Sequence, residues 1–298
     1  MQSLKSRIFY YFVKQRLAKI ARKGNSIPEM RKLRDEEAPR LFSLPAGIQS
    51  TAAEIGGCSG EWLTPSVVQG PARLLYLHGG AYVLGSVKTH RSLAAHLATA
   101  AMTPVFIVDY RLAPENPFPA ALDDAVAVYK AMVNLDTTSR VAIAGDSAGG
   151  GLALALALRL RNINYQAPSA LALMSPWTDL TLSSETHKTH PQVDPFFPNQ
   201  DFLRTSAAHY ASGQSLKNEL ISPLFADLGN LPPTIIHVGE KEVLLDDALE
   251  LARKMSDAKT PVLCKVFPGM WHVWQIFAGR FREADESVAE LGRFIRSQ

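Results

Sequence analysis

Residues 140–150 read Arg140-Val141-Ala142-Ile143-Ala144-Gly145-Asp146-Ser147-Ala148-Gly149-Gly150, and the chain continues into an Ala- and Leu-rich stretch. An apolar run thus enters Gly-x-Ser-x-Gly and leaves it as a helix, the strand–turn–helix context that a serine nucleophile needs. A serine on so sharp a turn has a strained backbone. Side chains two positions to either side would collide, so Gly145 and Gly149 are required. The turn lifts the Ser147 hydroxyl out of the sheet and sets the Ala148 N–H at a helix N-terminus, facing developing negative charge. The competing reading is a tight turn with a polar tip.

Outward from this element, strand signals lie near 48–56 and 60–64, with apolar runs at Arg73–Leu77, Pro104–Asp109, Ala170–Met174, Thr234–Val238 and Val262–Phe267. Helix-length patterns fall between them near 90–101, 118–133, 147–162, 244–257 and 279–297. Buried strands alternating with helices predict a mainly parallel sheet covered on both faces, an α/β fold. The first two strands, joined by a short glycine-containing connection, read as antiparallel. About sixty residues separate Met174 from Thr234, punctuated by Pro191, Pro195 and Pro198, with a helix signal over 199–211. A long insertion at a strand's carboxyl end is where a cap over a site belongs.

The composition is that of an ordinary globular chain: 298 residues, 47% hydrophobic and 20% charged, which excludes wholesale disorder. No apolar run approaches the roughly 18 residues of a membrane-spanning helix. Cys58 and Cys264 cannot build a disulfide framework and read as two reduced thiols. The N-terminus lacks the pattern of a signal peptide, and the reading is of a cytoplasmic protein. Net charge is +3, but residues 1–34 carry +9 and the remainder −6, so the body gives no sign of nucleic-acid binding. Residues 3–23 read as an amphipathic helix ended by Gly24-Asn25, with Phe9, Tyr10, Val13, Leu17, Ile20 and Ala21 on one side and lysines and arginines on the other. Ile8, Tyr11 and Phe12 lie outside that stripe, which predicts a second apolar neighbour. Docking of residues 1–24 on an anionic membrane surface is one reading of this helix. A helix packed over the site, with its charges solvated, is the preferred one. Pro28 opens a second helix over 28–38.

Leu75-Tyr76-Leu77-His78-Gly79-Gly80-Ala81-Tyr82 ends another apolar run. Adjacent glycines let consecutive N–H groups turn into a cavity, so Gly79, Gly80 and Ala148 are the expected donors to a tetrahedral oxyanion. His78 is read as a brace for this loop, not a base. A serine hydroxyl does need a base, and the order Ser, acid, His follows from this fold pattern. Of the histidines after Ser147, His237 lies in a strand pattern. His187 and His190 are spaced H-x-x-H without further ligands, so no metal is expected. His272 follows the last strand in Phe267-Pro-Gly-Met-Trp-His-Val-Trp, where a loop can reach back over the sheet's carboxyl edge. The acid must accept from the second nitrogen of His272. Glu242 stands about three positions beyond its strand and is chosen, with Asp246 and Glu240 as fallbacks. Pocket candidates are Tyr82, Phe196, Phe197, Phe202, Leu203, Val243 and Val273, each with core packing as the plain alternative. Asp109 and Arg111 could form a buried pair bracing the Gly79-Gly80 loop, or simply enter a helix.

His78-Gly79-Gly80-Ala81, Asp109-Tyr110-Arg111-Leu112-Ala113-Pro114-Glu115, Gly145-Asp146-Ser147-Ala148-Gly149-Gly150 and Ser175-Pro176-Trp177-Thr178-Asp179-Leu180 together resemble the bacterial hormone-sensitive-lipase-type esterases (family IV) of the α/β-hydrolase superfamily. The resemblance covers roughly 45–298. It implies eight strands, Ser147 as nucleophile, His272 as base and the oxyanion donors named above. Where that family usually reads Asp-Pro-Leu-x-Asp, this chain has Glu242-Val243-Leu244-Leu245-Asp246, and a glutamate there demands a slightly retracted backbone. The resemblance divides the chain into an N-terminal helical part of a cap (1–44), a first part of the core (45–177), a cap insertion (178–222) and a second part of the core (223–298). It also implies, in many members, a homodimer through the final strand and helix.

The expectation is a serine carboxylesterase for short- to medium-chain esters with a Ser-His-Glu triad, an acyl-enzyme, and no metal or cofactor. Its activity should rise with pH as His272 loses its proton. The alternatives are an amidase or deacetylase with the same triad, and a non-catalytic small-ligand binder, a class whose relatives typically lose the histidine that is present here.

Overall fold

The six apolar runs and the two strand signals before them pair into one sheet in the computed structural model, which describes residues 2–21, 26–70, 72–135, 140–197 and 200–298. The strands are β1 (Ile48–Ile55), β2 (Cys58–Pro65), β3 (Arg73–Leu77), β4 (Val105–Val108), β5 (Val141–Asp146), β6 (Leu171–Met174), β7 (Thr234–Gly239) and β8 (Val262–Phe267). Their order is β1-β2-β4-β3-β5-β6-β7-β8. β2 runs antiparallel to both β1 and β4, and all other pairs are parallel. The antiparallel start agrees with the short connection read in the sequence.

The middle strands are buried on both faces because helices cover both. Leu75, Leu77 and Ile143 point into one apolar layer with α4 (Ala120–Asn134), α5 (Ala148–Asn162) and α8 (Leu245–Asp257). Their neighbours Leu74, Tyr76, Ala142 and Ala144 point into the other, with α3 (Val87–Ala101) and α9 (Arg282–Arg296). Side chains alternate across a strand, so continuous apolar runs are what such a sheet requires. α3 starts three residues before its apolar pattern does, because the Ser86 side chain accepts from the Thr89 N–H at 3.3 Å and caps the first turn.

The remaining helices lie over the carboxyl ends of the strands. α1 (Leu4–Ala21) packs Phe9, Tyr10, Val13 and Leu17 against Trp271, Phe277 and Phe281, as its main stripe predicts. Leu4, Ile8, Tyr11 and Phe12 remain exposed, so the expected second apolar neighbour is not found among the described residues. The Tyr10 hydroxyl donates to the Val193 carbonyl (2.8 Å) and Lys14 Nζ to that of Gln192 (3.1 Å), joining α1 to the insertion after β6. α2 (Ile27–Leu41) sends Arg31 to the carbonyls of Val83 and Ala113. The insertion itself holds α6 (Thr186–Thr189) and α7 (Asp201–Ala211). Gly24-Asn25, Pro198 and Asn199, read as helix ends and breaks, lie outside the described residues. Among the described residues no helix is long and apolar enough to cross a membrane.

α3 and α9 meet at Gly292, where a Cβ would lie 2.6 Å from the Ala100 Cβ and closer still to its backbone. Helix propensity alone would reward Gly292→Ala by about 1 kcal/mol, but overpacking costs about 1–3 kcal/mol. The contact is with backbone, which cannot swing aside, so packing wins. Urea denaturation should show Gly292→Ala less stable than the parent; a gain in stability would contradict this packing.

Candidate active site

Ser147 joins β5 to α5 with φ 54° and ψ −123°, a conformation that costs on the order of 1–3 kcal/mol outside glycine. Its surroundings leave it no alternative. The Ser147 N–H donates to the Met174 carbonyl (2.9 Å), and its own carbonyl accepts from Gly151 and Trp177. A Cβ at Gly149 would strike the Leu77 carbonyl and lie 2.5 Å from that of His78; one at Gly145 would strike Gly149. The glycine spacing read in the sequence is therefore a packing requirement between the ends of β3 and β5.

Two loops bring the other expected residues to the serine. His272 Nε2 is 3.0 Å from Ser147 Oγ and His272 Nδ1 is 2.9 Å from Glu242 Oε2. All three residues are buried, at 5%, 3% and 0% exposure for Ser147, His272 and Glu242. The second Glu242 oxygen accepts from the Ser175 hydroxyl (2.9 Å) and the Gly239 N–H. Ser175 Oγ in turn accepts from the Val273 N–H at 3.2 Å, so it ties the acid loop to the histidine loop. The fallback acids point elsewhere: Glu240 accepts from the Gly269 N–H and Asp246 from that of Thr186.

The first glycine of the His78 loop departs from expectation. The Gly79 N–H donates to Asp146 Oδ1 at 3.0 Å, and a Cβ there would strike the same carboxylate. Gly79 is thus withdrawn as an oxyanion donor. Gly80, Ala81 and Ala148 have N–H groups with no acceptor among the described residues. Ala81, at φ 55°, takes the place that the sequence reading gave to Gly79. Asp146 also accepts from the Tyr76 hydroxyl at 2.7 Å and lies 3.4 Å from His90 Nε2. Burial opposes its charge, but His90 and these donors prevail and hold its pKa below the usual value.

His78 braces the loop as read. Its Nδ1 lies 2.8 Å from the Gly79 carbonyl, its ring stacks on Tyr110, and burial depresses its pKa to about 3. The Tyr110 hydroxyl donates to the His78 carbonyl at 2.6 Å. The proposed Asp109–Arg111 pair does not form. Asp109 accepts from the Val87 N–H, whereas Arg111 grips Asp124 through Nε and Nη2. His237 is a core residue bonded to Ser287, as its strand pattern suggests. His187 faces Asp247 at 3.4 Å, whereas His190 bonds Thr189, so the two share no ligand geometry.

Among the pocket candidates, the rings of Phe196 and Phe197 stand 5.8 and 4.9 Å from that of His272. Tyr82 stacks on Tyr210 at 3.7 Å, and it shares one apolar cluster with Phe197, Leu203 and Val243, with Phe196 and Phe202 packed against it. Phe202 also lines a cleft of about 360 Å³ between α2 and α7 that includes none of Ser147, Glu242 and His272. Val273 is a correction: its backbone turns to φ 47° and its side chain joins the core on the α3–α9 face.

One residue near the site escaped the sequence reading. Asp194, from the insertion, is 2% exposed and accepts from the N–H groups of Phe196 (2.9 Å) and Val243 (3.0 Å). It therefore holds both Phe196, beside His272, and Val243, the residue after Glu242. Burial raises its pKa to about 6 against the pull of His272. At His272 burial works against the imidazolium, but the hydrogen bond and charge of Glu242, backed by Asp194 and Asp146, outweigh it and raise the pKa.

Comparison with known proteins agrees with this fold. The family described as alpha/beta hydrolase fold matches residues 74–276. An acetyl-hydrolase of Streptomyces hygroscopicus is 38% identical over 265 residues, 89% of this chain and 87% of the relative. An esterase of Acinetobacter venetianus is 36% identical over 260 residues, 87% of this chain and 85% of the relative. The crystal structure of a hormone-sensitive lipase from a metagenome library superposes with a TM-score of 0.93 at 38% identity, covering 98% of this chain and 97% of the other.

Removing the Asp194 charge takes away one of the groups that favour the His272 imidazolium. Asp194→Asn should move the acidic limb of kcat/KM to lower pH. It should also cost about 1–3 kcal/mol of stability, because an amide nitrogen then faces one of two backbone donors. A pH–rate profile and a urea titration measure both; an unmoved limb contradicts the electrostatic coupling.

Proposed function

The chain belongs to the bacterial hormone-sensitive-lipase-type esterases of the α/β-hydrolase superfamily and is a carboxylic ester hydrolase; from that premise we propose that it is a serine carboxylesterase working through Ser147, His272 and Glu242. The observation that carries the proposal is the buried line of two hydrogen bonds, 3.0 and 2.9 Å, from Ser147 Oγ through His272 to Glu242. A serine with no base is a poor nucleophile, and a histidine with no acid beside it has neither a fixed tautomer nor a stabilised cation.

In the proposed reaction Ser147 Oγ attacks the ester carbonyl carbon while its proton passes to His272 Nε2. The carbonyl π pair moves to oxygen, and the resulting oxyanion is held by the N–H groups of Gly80, Ala81 and Ala148, the donors left without an acceptor among the described residues. The pair then returns, the C–O bond to the leaving group breaks, and His272 gives its proton to the departing alcohol. Water repeats the sequence on the acyl-Ser147 ester, with His272 again taking the proton, and releases the acid. Glu242 orients the imidazole through Nδ1–H and stabilises the cation that forms there.

The substrates proposed are esters of short- to medium-chain acids. The N-terminal helices and the insertion at 178–222 act as a two-piece cap, and Phe196 and Phe197 crowd the histidine from the cap side. A site bounded in this way suits a small acyl group. The acetyl-hydrolase relative supports the same range.

The test is hydrolysis of p-nitrophenyl esters from acetate to palmitate by wild type and Ser147→Ala, with p-nitroacetanilide alongside. Acetate through hexanoate should turn over fastest, and Ser147→Ala should lose on the order of 10⁴-fold or more in kcat. Retained activity in Ser147→Ala would overturn the nucleophile. Turnover of the anilide in preference to every ester would instead make the enzyme an amidase.

A further inference from the structure

Helix α1 has two apolar faces, and the described residues cover only one of them. Phe9, Tyr10, Val13 and Leu17 pack on the cluster around Trp271 and Phe281. On the opposite side Leu4, Ile8, Tyr11 and Phe12 stand 71%, 59%, 61% and 51% exposed. Single exposed apolar residues are ordinary, but four large ones within three turns of one helix form a patch of the kind that marks an interaction surface. At 100° per residue these four share one strip, bordered by Lys5 and Arg16 along one margin and by Arg7 and Lys14 along the other. From Met1 to Pro28 the sequence holds seven Lys/Arg and no acidic residue. The one ion pair made by the four bordering bases among the described residues is Arg16 to Glu37.

We infer that α1 is an interfacial anchor that docks the chain on an anionic lipid surface. The open strip lies at the boundary of the acyl chains, and Lys5 on one margin and Arg7 on the other meet the headgroup phosphates, whereas Lys14 and Arg16 also hold Gln192 and Glu37. An apolar ridge flanked on both sides by cations matches such a surface in both respects. A second copy of the chain matches it in only one. Two such helices packed strip to strip would bring Lys5, Arg7, Lys14 and Arg16 against like charges, and juxtaposed like charges suppress pairing. Docked in this way, α1 lies between the lipid and the loop that carries His272, since Tyr10 packs against Trp271 at 5.8 Å.

The experiment is co-sedimentation of the full-length protein with vesicles of phosphatidylcholine alone and of phosphatidylcholine mixed with phosphatidylglycerol. The mixed vesicles should bind the protein at least about tenfold more tightly than the neutral ones, and added salt should release it. The double variant Ile8→Glu/Phe12→Glu should lose about tenfold or more of that affinity. Both positions are exposed, so its circular dichroism melt and its rate on soluble p-nitrophenyl acetate should match wild type. The rate control reports on the esterase and the sedimentation on the anchor, so the two readings fail separately. Wild-type protein indifferent to phosphatidylglycerol would overturn the inference, as would unchanged binding by the double variant. A lipid-free dimer abolished by Ile8→Glu/Phe12→Glu, with no vesicle binding, would overturn it in favour of a second copy.

Discussion

Where β3 and β5 end, their backbones pass closer together than any side chain permits. Gly149 sits on the carbonyls of Leu77 and His78, and Gly79 sits on the Asp146 carboxylate. This close approach fixes the Ser147 turn at its positive φ and clamps the His78 loop beside it. Backbone strain at one residue persists only where its surroundings over-determine it, and here the hydrogen bond from the Ser147 N–H to the Met174 carbonyl and those from Gly151 and Trp177 to the Ser147 carbonyl complete the clamp. The N–H groups of Gly80, Ala81 and Ala148, without an acceptor among the described residues, follow from the same junction, since all three belong to its two loops.

Around that junction the chain buries carboxylates, and each is supplied with donors. Asp146 has Tyr76 and the Gly79 N–H; Glu242 has Ser175, Gly239 and His272; Asp194 has Phe196 and Val243. A buried charge without such partners is costly and tends to neutralise. Asp194, held mainly by two backbone donors, has its pKa raised to about 6, whereas that of Asp146 stays low. The outcome is a concentration of negative charge behind His272, which favours the imidazolium that an acyl-transfer reaction must form. The insertion after β6 contributes to this field through Asp194.

The centre of the sheet was legible because β3 to β7 are buried on both faces and read as unbroken apolar runs, whereas β1 and β2 were legible from their short antiparallel connection. Ser147, Glu242 and His272 were legible for a related reason: each follows a strand end at a short distance, so the sheet itself delivers them to one edge. What stayed hidden depends on contacts between distant segments. That Gly79 spends its N–H on Asp146 is not a property of the His-Gly-Gly-Ala stretch, and it leaves Ala81 instead of Gly79 with an N–H that has no acceptor among the described residues. Arg111 reached Asp124 on α4 instead of Asp109, two residues away. Val273 turned from the site to the opposite core through a left-handed backbone. Asp194 carried no signal within a proline-punctuated insertion, because its importance comes from Val243 and Phe196 meeting over it.

The central claim is that Ser147, activated by His272 and Glu242, forms the covalent intermediate. Reaction with p-nitrophenyl diethyl phosphate followed by peptide mass spectrometry tests it most directly, because the phosphoryl ester stays on the nucleophile. The account predicts one diethylphosphoryl group per inactivated chain, carried on the peptide that contains Ser147, with labelling strongly slowed in Glu242→Gln. Complete inactivation with Ser147 unmodified, or a label on another side chain, would contradict it.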